Sequence, residues 1–347
     1  MRAANKGAQA EDKGADKGAD KGEATRRKNA AKRARRMMRN QADSMPVVEP
    51  TDGPREVREV RADLIAPAPR GGLVEVFQQP YLLRLIVSRQ LAQMYAASLL
   101  GLLWSYIQPA LRFAVYYVVM GFVLQLHKDT PYFAIHLFTG IVVVHYFGET
   151  WAGGTRSIWQ NKALVKKMRM PREIFPVASM LVAAYHTLPQ VLLLVVACLL
   201  AGWHITWTAL GAGLLGVCIL VTFAMAMALV FSALNVFFRD FQNIVGTIMQ
   251  FMHFLVPMLY PFTRIYAVHE THPVIYQIYN ANPIAQGVLL LQRLFWYPLI
   301  EDPSPLGTQF PPEMYTRGFI TLALSLLFLW FAQRFFSRLE NKFPERL

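Results

Sequence analysis

The sequence is poor in charged residues and in cysteine. Only 16% of its 347 residues are charged and its mean hydropathy is +0.28, which is too apolar for an ordinary soluble domain. Residues 174–238 contain no Asp, Glu, Lys or Arg, a run far longer than the roughly 20 residues that cross a bilayer once. This segment must cross a membrane, turn and cross back. Cys198 and Cys218 lie in apolar segments, so neither a disulfide framework nor a zinc site is predicted.

Acidic residues are scarce where membrane enzymes and proton-coupled transporters need them. The acids of residues 101–262 are Asp129, Glu149, Glu173 and Asp240. All four lie near predicted helix ends, and an intramembrane acid is costly enough to be informative. Their scarcity argues against catalysis and against a midplane proton carrier. Glu149 is interpreted as an interfacial residue paired with a cation such as Arg156.

The histidines and glycines indicate neither a metal site nor a nucleotide site. The histidines of the apolar segments are His136, His145, His186 and His253. None of them shares the close helical spacing of a metal pair, so all four are interpreted as packed side chains. The sequence has no G-x-x-x-x-G-K-[ST] motif, which excludes ATP binding in the P-loop manner.

Residues 1–70 differ in composition from the rest of the chain. They contain the repeat DKGADKGADKG and, between Arg26 and Arg39, eight cations without an acid. They are predicted to form a disordered, basic cytosolic tail. Attraction to anionic lipid headgroups would contribute about 1 kcal/mol per cation near the surface, and nucleic-acid binding is disfavoured for a protein this apolar. No apolar run lies near Met1, so a cleaved signal peptide is not predicted.

The remaining chain predicts an all-α integral membrane fold. Residues 71–104 form an interfacial region, because polar side chains interrupt the apolar segment 80–104 at about one helical turn, as in an amphipathic helix. Residues 105–347 form a six-helix membrane domain. The predicted transmembrane helices are 106–126, 132–152, 177–201, 208–236, 242–263 and 317–335. Residues 282–298 are too short to span and predict a re-entrant or extracellular helix before the last span.

Charge sets the predicted orientation of these spans, since short basic loops stay on the cytoplasmic side. The cations of loop 153–176 are Arg156, Lys162, Lys166, Lys167, Arg169 and Arg172. The neighbouring turns carry only Lys128 or no cation, so this loop is predicted to be cytosolic. Both termini are basic and are placed on the same side, which an even number of spans satisfies.

The basic loop has a second interpretation. Its short predicted helix ends at Pro171 and offers Leu164, Val165, Met168 and Met170 among the cations, which suits docking in a partner's groove. A solvated loop without a partner is equally compatible with the topology. In the turn 237–243, a local ion pair between Arg239 and Asp240 is the favoured interpretation when the turn is considered alone.

Several motifs together resemble the polysaccharide-export permeases of the ABC-2 type. Residues 89–109 resemble their amino-terminal signature, with Arg89, Tyr95, Ser98, Gly101, Trp104 and Pro109 in step. The loop after the second span matches at Asn161, Leu164, Lys167, Pro171 and Pro176. The FRD turn, PMLYP at 257–261 and NP at 282–283 follow the same order. The resemblance covers about residues 75–340.

This resemblance implies a transporter and not an enzyme. Such permeases sit in the plasma membrane and export lipid-linked O-antigen, teichoic acid, capsule or galactan as a dimer with two copies of a separate ATPase. That partner binds ATP and Mg, so no cofactor or metal is expected on this chain. The implied ATPase-coupling residues are Asn161, Leu164, Lys166, Lys167, Met168, Arg169, Pro171, Arg172, Arg239 and Asp240. Galactan exporters are the nearest match, and the long tail departs from the family pattern.

Substrate contacts are predicted from chemistry. Arg84, Arg89 and Arg112 are candidates for a lipid-diphosphate headgroup, because guanidinium groups bind phosphate oxygens through paired hydrogen bonds. Snorkelling is the alternative for the first two. The candidate aromatic residues of a glycan channel are Phe113, Tyr116, Tyr117, Tyr146, Phe147 and Trp151. Lipid-facing packing is the alternative for each ring.

Two rival functions remain open from the sequence. One is an ABC-2 permease for a drug or a small lipid, which accumulation of lipid-linked glycan on depletion would exclude. The other is a membrane-embedded glycosyltransferase or lipid-modifying enzyme. Turnover of a lipid-linked sugar by the purified chain without an ATPase would support that enzyme.

Overall fold

The protein is helical throughout the part of the chain that the structure describes. The structure is a computed structural model, and the residues it describes are 72–96, 101–168, 170–300 and 310–347, together with Lys32. No strand occurs in those ranges, which confirms the all-α prediction for them. Ser98, Arg169 and the predicted tail apart from Lys32 lie outside the described residues. The residues from Gly72 onward belong to one unit, Leu64–Leu347.

Fourteen helices follow one another in the described ranges. They are α1 Gly72–Gln78, α2 Pro80–Tyr95, α3 Trp104–Tyr116, α4 Leu126–Asp129, α5 Phe133–Gln160, α6 Lys162–Lys167, α7 Ile174–Leu200, α8 Trp207–Phe237, α9 Phe241–Leu255, α10 Phe262–Thr271, α11 Pro273–Asn280, α12 Pro283–Phe295, α13 Met314–Leu339 and α14 Phe343–Arg346. A π-helical segment, Tyr117–Val123, continues α3 directly.

Five described helical segments are long and apolar enough to cross a membrane. They are Trp104–Val123, Phe133–Gln160, Ile174–Leu200, Trp207–Phe237 and Met314–Lys342. They coincide with five of the six predicted spans. The predicted span 242–263 coincides with α9, which has 15 residues and rises about 22 Å, less than the roughly 30 Å of a hydrocarbon core. The chain then breaks between Leu255 and Phe262, so the count of six spans is not confirmed.

The break after α9 is supported from inside the protein. Pro257 and Pro261 lie within it, and proline removes a backbone donor. The side-chain amide of Gln292 donates to the carbonyl of Pro257 at 2.8 Å and to that of His136 at 3.4 Å. This amide supplies a partner for the buried carbonyl of Pro257, as non-helical backbone at membrane depth requires.

The predicted helix at 282–298 exists, and it lies in the protein interior. The Asn282 side chain accepts a hydrogen bond from the Ile284 amide at 3.0 Å and caps α12, while Pro283 occupies its first turn. Gln286 and Leu290 are fully buried. The helix packs on α8 and α5. A helix buried so completely serves as part of the core.

Helix α8 is the centre of the fold and packs on α5, α12 and α13. Small side chains permit the close approach to α5. A Cβ atom added to Gly154 would lie 2.5 Å from the Ala228 Cβ and 3.1 Å from its Cα. Close packing of small residues is how helices associate where lipid provides no hydrophobic drive.

Helix α2, the predicted interfacial helix, lies against α7. Leu83 and Ile86 are buried in a cluster that also includes Phe336 and Phe343 from the end of the chain. Its opposite side is exposed at Arg84 and Arg89. This packing fixes the position of Tyr95 at the end of α2.

Candidate functional site

A chain of polar contacts joins the end of α2 to the membrane helices. The Tyr95 hydroxyl lies 3.0 Å from Ser105 Oγ in α3 and 2.6 Å from Nε2 of His186 in α7. Nδ1 of His186 is hydrogen-bonded to Oε1 of Glu149 in α5. The other carboxylate oxygen lies 3.9 Å from Nδ1 of His145. We call these five residues the polar cluster.

The chemistry of the polar cluster assigns its donors. An ionised Glu149 only accepts, so His186 donates from Nδ1. With a neutral imidazole, Nε2 accepts and the Tyr95 hydroxyl donates to it. The side chain of His186 is 5% exposed, and a carboxylate at this depth needs such a partner, because an unpaired charge is costly there. The cluster therefore ties α2 to α5 and α7 through groups that depend on one another.

This arrangement corrects two predictions. The pairing of Glu149 with Arg156 is wrong, because Arg156 is exposed and donates its Nε to the carbonyl of Ala152 at 3.2 Å. The interpretation of His145 and His186 as isolated packed residues is also wrong, since both converge on Glu149. His186 is 37 positions from Glu149 in the chain, and His145 is 4 positions from it. No local sequence pattern marks a contact between residues 37 positions apart.

The other two histidines differ from each other. His136 is buried, and its ring meets that of Trp296 edge-on at 4.8 Å, which confirms a packing role. Nε2 of His253 in α9 lies 3.3 Å from Nη1 of Arg112 in α3. Because the guanidinium only donates, His253 accepts at this nitrogen. Its interpretation as a packed residue is therefore incomplete.

A cavity of about 250 Å³ adjoins the polar cluster. Its polar and aromatic lining includes Tyr95, Trp104, Ser105, Gln108, His145 and Glu149. Gly101 also lines it and has φ +49°, a left-handed conformation that glycine adopts readily. Three predicted signature residues, Tyr95, Gly101 and Trp104, therefore meet at one cavity. Pro109 is buried on another side of α3, beside Tyr106 and Phe113.

The three predicted headgroup arginines are not gathered into one site. Arg84 and Arg89 are exposed on α2, whereas Arg112 is half-buried in α3 against His253. No contact among the three occurs within the described residues. The role of Arg84 and Arg89 in binding an anion stays a prediction.

The predicted channel aromatics lie in three different places. Phe113 stacks on Tyr117 at 5.5 Å, and Tyr116 lies 5.9 Å from His253, so these three rings share the face of α3 that turns toward α5 and α9. Phe147 and Trp151 are 0% and 2% exposed and pack on rings of α8. They present no surface to a glycan in this conformation. Tyr146 is half-buried and lines a separate cavity of about 440 Å³ between α5, α7, α8 and α12.

The two predicted coupling segments are neighbours in the fold. The ring centroid of Trp159 in α5 lies 3.7 Å from Arg239 Cζ and 4.7 Å from Lys162 Nζ. Within the described residues Arg239 forms no ion pair with Asp240, so the local-pair interpretation of this turn is wrong. The exposed residues of both segments form what we call the basic surface: Lys162, Lys166, Lys167, Met168, Arg239 and Asp240.

Other predicted coupling residues hold this surface in place. Asn161 is buried and donates to the carbonyl of Ser157 at 2.8 Å. Leu164 packs against the inner hydrophobic cluster, and Pro171 is buried. Arg172 is 3% exposed and donates to the backbone carbonyl of Glu340. Asn161, Pro171 and Arg172 are buried and serve the protein's own packing in this conformation, whereas Leu164 is only partly buried.

Glu173 continues this buried arrangement at the start of α7. Its Oε1 accepts a hydrogen bond from Gln333 in α13 at 2.7 Å. Burial raises the pKa of the Glu173 carboxyl above its ordinary value. This contact and the bond from Arg172 to Glu340 join the basic surface to α13 and to the segment that follows α13.

Comparison with known proteins decides the family. Residues 81–296 match the family described as ABC-2 type transporter. The chain belongs to the ABC-2 type transporter family. An O-antigen export system permease protein RfbA of Myxococcus xanthus is 26% identical over 275 residues, which cover 79% of this chain and 98% of that protein. A protein of the same name from Klebsiella pneumoniae is 26% identical over 77% of this chain and 95% of its own length.

The family match confirms the resemblance and places it on the fold. The ABC-2 region extends from α2 to the end of α12 and includes the polar cluster, the cavity and the basic surface. This ABC-2 chain is a membrane permease with several apolar helices. Resemblance to the family signature identified Tyr95, Gly101 and Trp104 from the sequence. It missed Ser105, Gln108 and the histidine contacts, because no local pattern marks them.

Proposed function

We propose that the chain is the transmembrane subunit that exports a polyprenyl-diphosphate-linked polysaccharide across the plasma membrane. Cell-wall galactan, O-antigen and teichoic acid are the glycan types considered. The supporting observation is similarity to two proteins named O-antigen export permeases over at least 95% of their length. Similarity of this extent supports a shared class of cargo more strongly than the family match, which ends at residue 296.

The proposed transporter has two copies of this chain and two copies of a separate ATPase, which binds ATP and Mg. The chain itself is proposed to carry no cofactor. We place six spans in the membrane, with α9 as the fifth, and both termini in the cytosol. The basic loop 161–173 supports this orientation through the positive-inside rule. The contact of Trp159 with Arg239 and Lys162 supports the same side for the turn 237–243.

The basic surface is the proposed docking site for the ATPase. It offers three lysine side chains and an apolar contact at Met168, which is 50% exposed. Beneath this surface, Asn161 donates to the Ser157 carbonyl near the end of α5, and Arg172 donates to the Glu340 carbonyl. A displacement of the surface is therefore transmitted to the membrane helices through buried hydrogen bonds and not through a flexible loop.

Charge reversal tests the docking site. Lys166→Glu with Lys167→Glu replaces attraction by repulsion at exposed positions, and like-charge contacts at an interface cost several kcal/mol. We expect the yield of co-purified ATPase to fall at least tenfold while membrane insertion is unchanged. Lys128→Glu, an exposed cation on the proposed outer side, is the matched control. Normal ATPase recovery with the double variant contradicts the docking role.

Depletion of the chain tests the cargo. If the protein exports a lipid-linked glycan, cells that lack it should accumulate that glycan on the cytosolic side of the plasma membrane. Lipid extraction and glycan analysis measure this directly. Unchanged levels of lipid-linked glycan, together with loss of a drug or small lipid from the exported material, would support the rival permease.

A further inference from the structure

We propose that the cavity beside the polar cluster binds a neutral sugar unit of the glycan and excludes the diphosphate. The inference rests on the proposed function, and it assigns a separate place to each part of the substrate. It depends on three observations: an amide without a partner, the charge of the cavity lining and an exposed indole.

The amide belongs to Gln108 in the first turns of α3. Its side chain is exposed, lines the cavity and forms no hydrogen bond with any described residue. Ser105 precedes it by three positions and Arg112 follows it by four, so all three lie on one face of the helix. The amide therefore has both its donors and its acceptor directed to water or to a polar occupant of the cavity.

The charge of the lining selects the kind of polar occupant. None of the described residues that line the cavity is Lys or Arg, and one of them is Glu149. The carboxylate has one oxygen bonded to His186, and its other oxygen has no hydrogen-bond partner. A diphosphate in this cavity would lie beside the Glu149 carboxylate, whereas Arg112, one turn further along α3, is hydrogen-bonded to His253 and does not line the cavity. A sugar hydroxyl both donates and accepts, and it matches the amide, hydroxyl and imidazole groups around the cavity.

The indole gives the cavity an apolar side suited to a sugar ring. Trp104 lines the cavity and is 46% exposed, and Met94 beside it is 54% exposed. An aromatic face offers contact area at low entropic cost while its neighbours provide hydrogen bonds. These two exposed residues mark the side from which a ligand enters.

The neighbouring helix provides a separate place for the anion. Arg89 precedes Tyr95 by six residues on α2, a rise of about 9 Å. Arg89 is exposed and does not line the cavity, so an anion bound there would lie outside the cavity. We therefore assign the diphosphate to Arg89 and the sugar unit to the cavity.

Saturation-transfer NMR tests the site with the full-length chain in lipid nanodiscs. The probes are methyl glycosides of glucose, galactose, rhamnose and N-acetylglucosamine, with inorganic pyrophosphate as competitor. We expect transfer to at least one glycoside, affinity at least tenfold weaker in Trp104→Leu and in Gln108→Leu, and no displacement by pyrophosphate. Gln242→Leu is the matched control, because Gln242 is an exposed glutamine outside the cavity, and should bind as the native chain does.

A second measurement uses the native chain only, so its result does not depend on whether the variants fold. A bound glycoside should protect His145 from carbethoxylation by diethyl pyrocarbonate, as read by peptide mass spectrometry. Absence of both transfer and protection overturns the site, and so does displacement of the glycoside by pyrophosphate. Neither measurement requires an ATPase. If the chain recruits the ATPase but binds no glycoside, the proposed sugar site is refuted and the proposed transporter is not. If the chain binds a glycoside but recruits no ATPase, the proposed transporter is refuted and the sugar site is not.

Discussion

Two adjacent glycines of α5 provide a sharp test of the packing between α5 and α8. The perturbation is the same at both positions, glycine to alanine. At Gly154 the new Cβ would lie 2.5 Å from the Ala228 Cβ and 3.1 Å from its Cα. At Gly153 the nearest atom would be the Ser179 Cβ at 3.5 Å, an ordinary contact. The first substitution therefore meets the backbone of a neighbouring helix and the second does not.

The magnitudes can be separated because both variants gain the same helix propensity, about 0.8–1.0 kcal/mol for glycine to alanine. Only Gly154→Ala has to force the helices apart, and overpacking a well-packed core costs about 1–3 kcal/mol. The difference between the two variants is thus about 1–3 kcal/mol, with Gly153→Ala the more stable. The gain in helix propensity is the same in both variants and cancels in the difference between them. The clash at Gly154 therefore determines which variant is less stable.

The assay is thermal unfolding of the purified chain in detergent, followed by tryptophan fluorescence at one scan rate, since unfolding of such proteins is commonly irreversible. We expect Gly154→Ala to unfold on the order of 5 °C below Gly153→Ala. Adding Ala228→Gly to Gly154→Ala should recover part of the loss. Equal stability of the two single variants, or greater stability of Gly154→Ala, refutes the close approach of α5 and α8.

Two further predictions concern single polar side chains. Glu173→Gln should stabilise the protein at neutral pH, because a carboxyl whose pKa is raised in the folded state binds more protons there than in the unfolded state, so its contribution falls as pH rises. Unfolding temperatures should converge below about pH 4.3, the ordinary pKa of glutamate, and a gap that widens on acidification would contradict the raised pKa. Tyr95→Phe should cost about 1–3 kcal/mol by leaving His186 without its partner, whereas Tyr81→Phe, at an 81% exposed position, should be neutral in the same unfolding assay. Equal effects of the two tyrosine variants would exclude a stabilising role for the polar cluster.

Much of the helical frame could be predicted because apolar length and charge placement are local properties. The uncharged run 174–238 forms α7 and α8, as its length predicts. Pro171 lies in the break between α6 and α7, where the short helix is predicted to end. The pair Asn282 and Pro283 begins α12 as its sequence indicates. The predicted continuity of span 242–263 failed because hydropathy does not register Pro257 and Pro261 as interruptions of backbone bonding.

The site was harder to predict than the frame. Resemblance to the amino-terminal signature of the family identified Tyr95 and Trp104, and charge identified the lysines of the basic surface. The polar cluster depends on contacts between residues as far apart as Tyr95 and His186, which are 91 positions apart, and no periodicity encodes such a pair. Burial of Arg172 was also hidden, because a cation in a basic loop looks solvated until the end of the chain packs over it.

The amide of Gln292 has a mechanical consequence. One side chain holds both the carbonyl of Pro257, in the interruption after α9, and that of His136, near the start of α5. A tilt of α9 must therefore either carry α12 with it or break the hydrogen bond between Gln292 and Pro257. Because the same amide also bonds to His136, a movement that α12 follows also pulls on the start of α5.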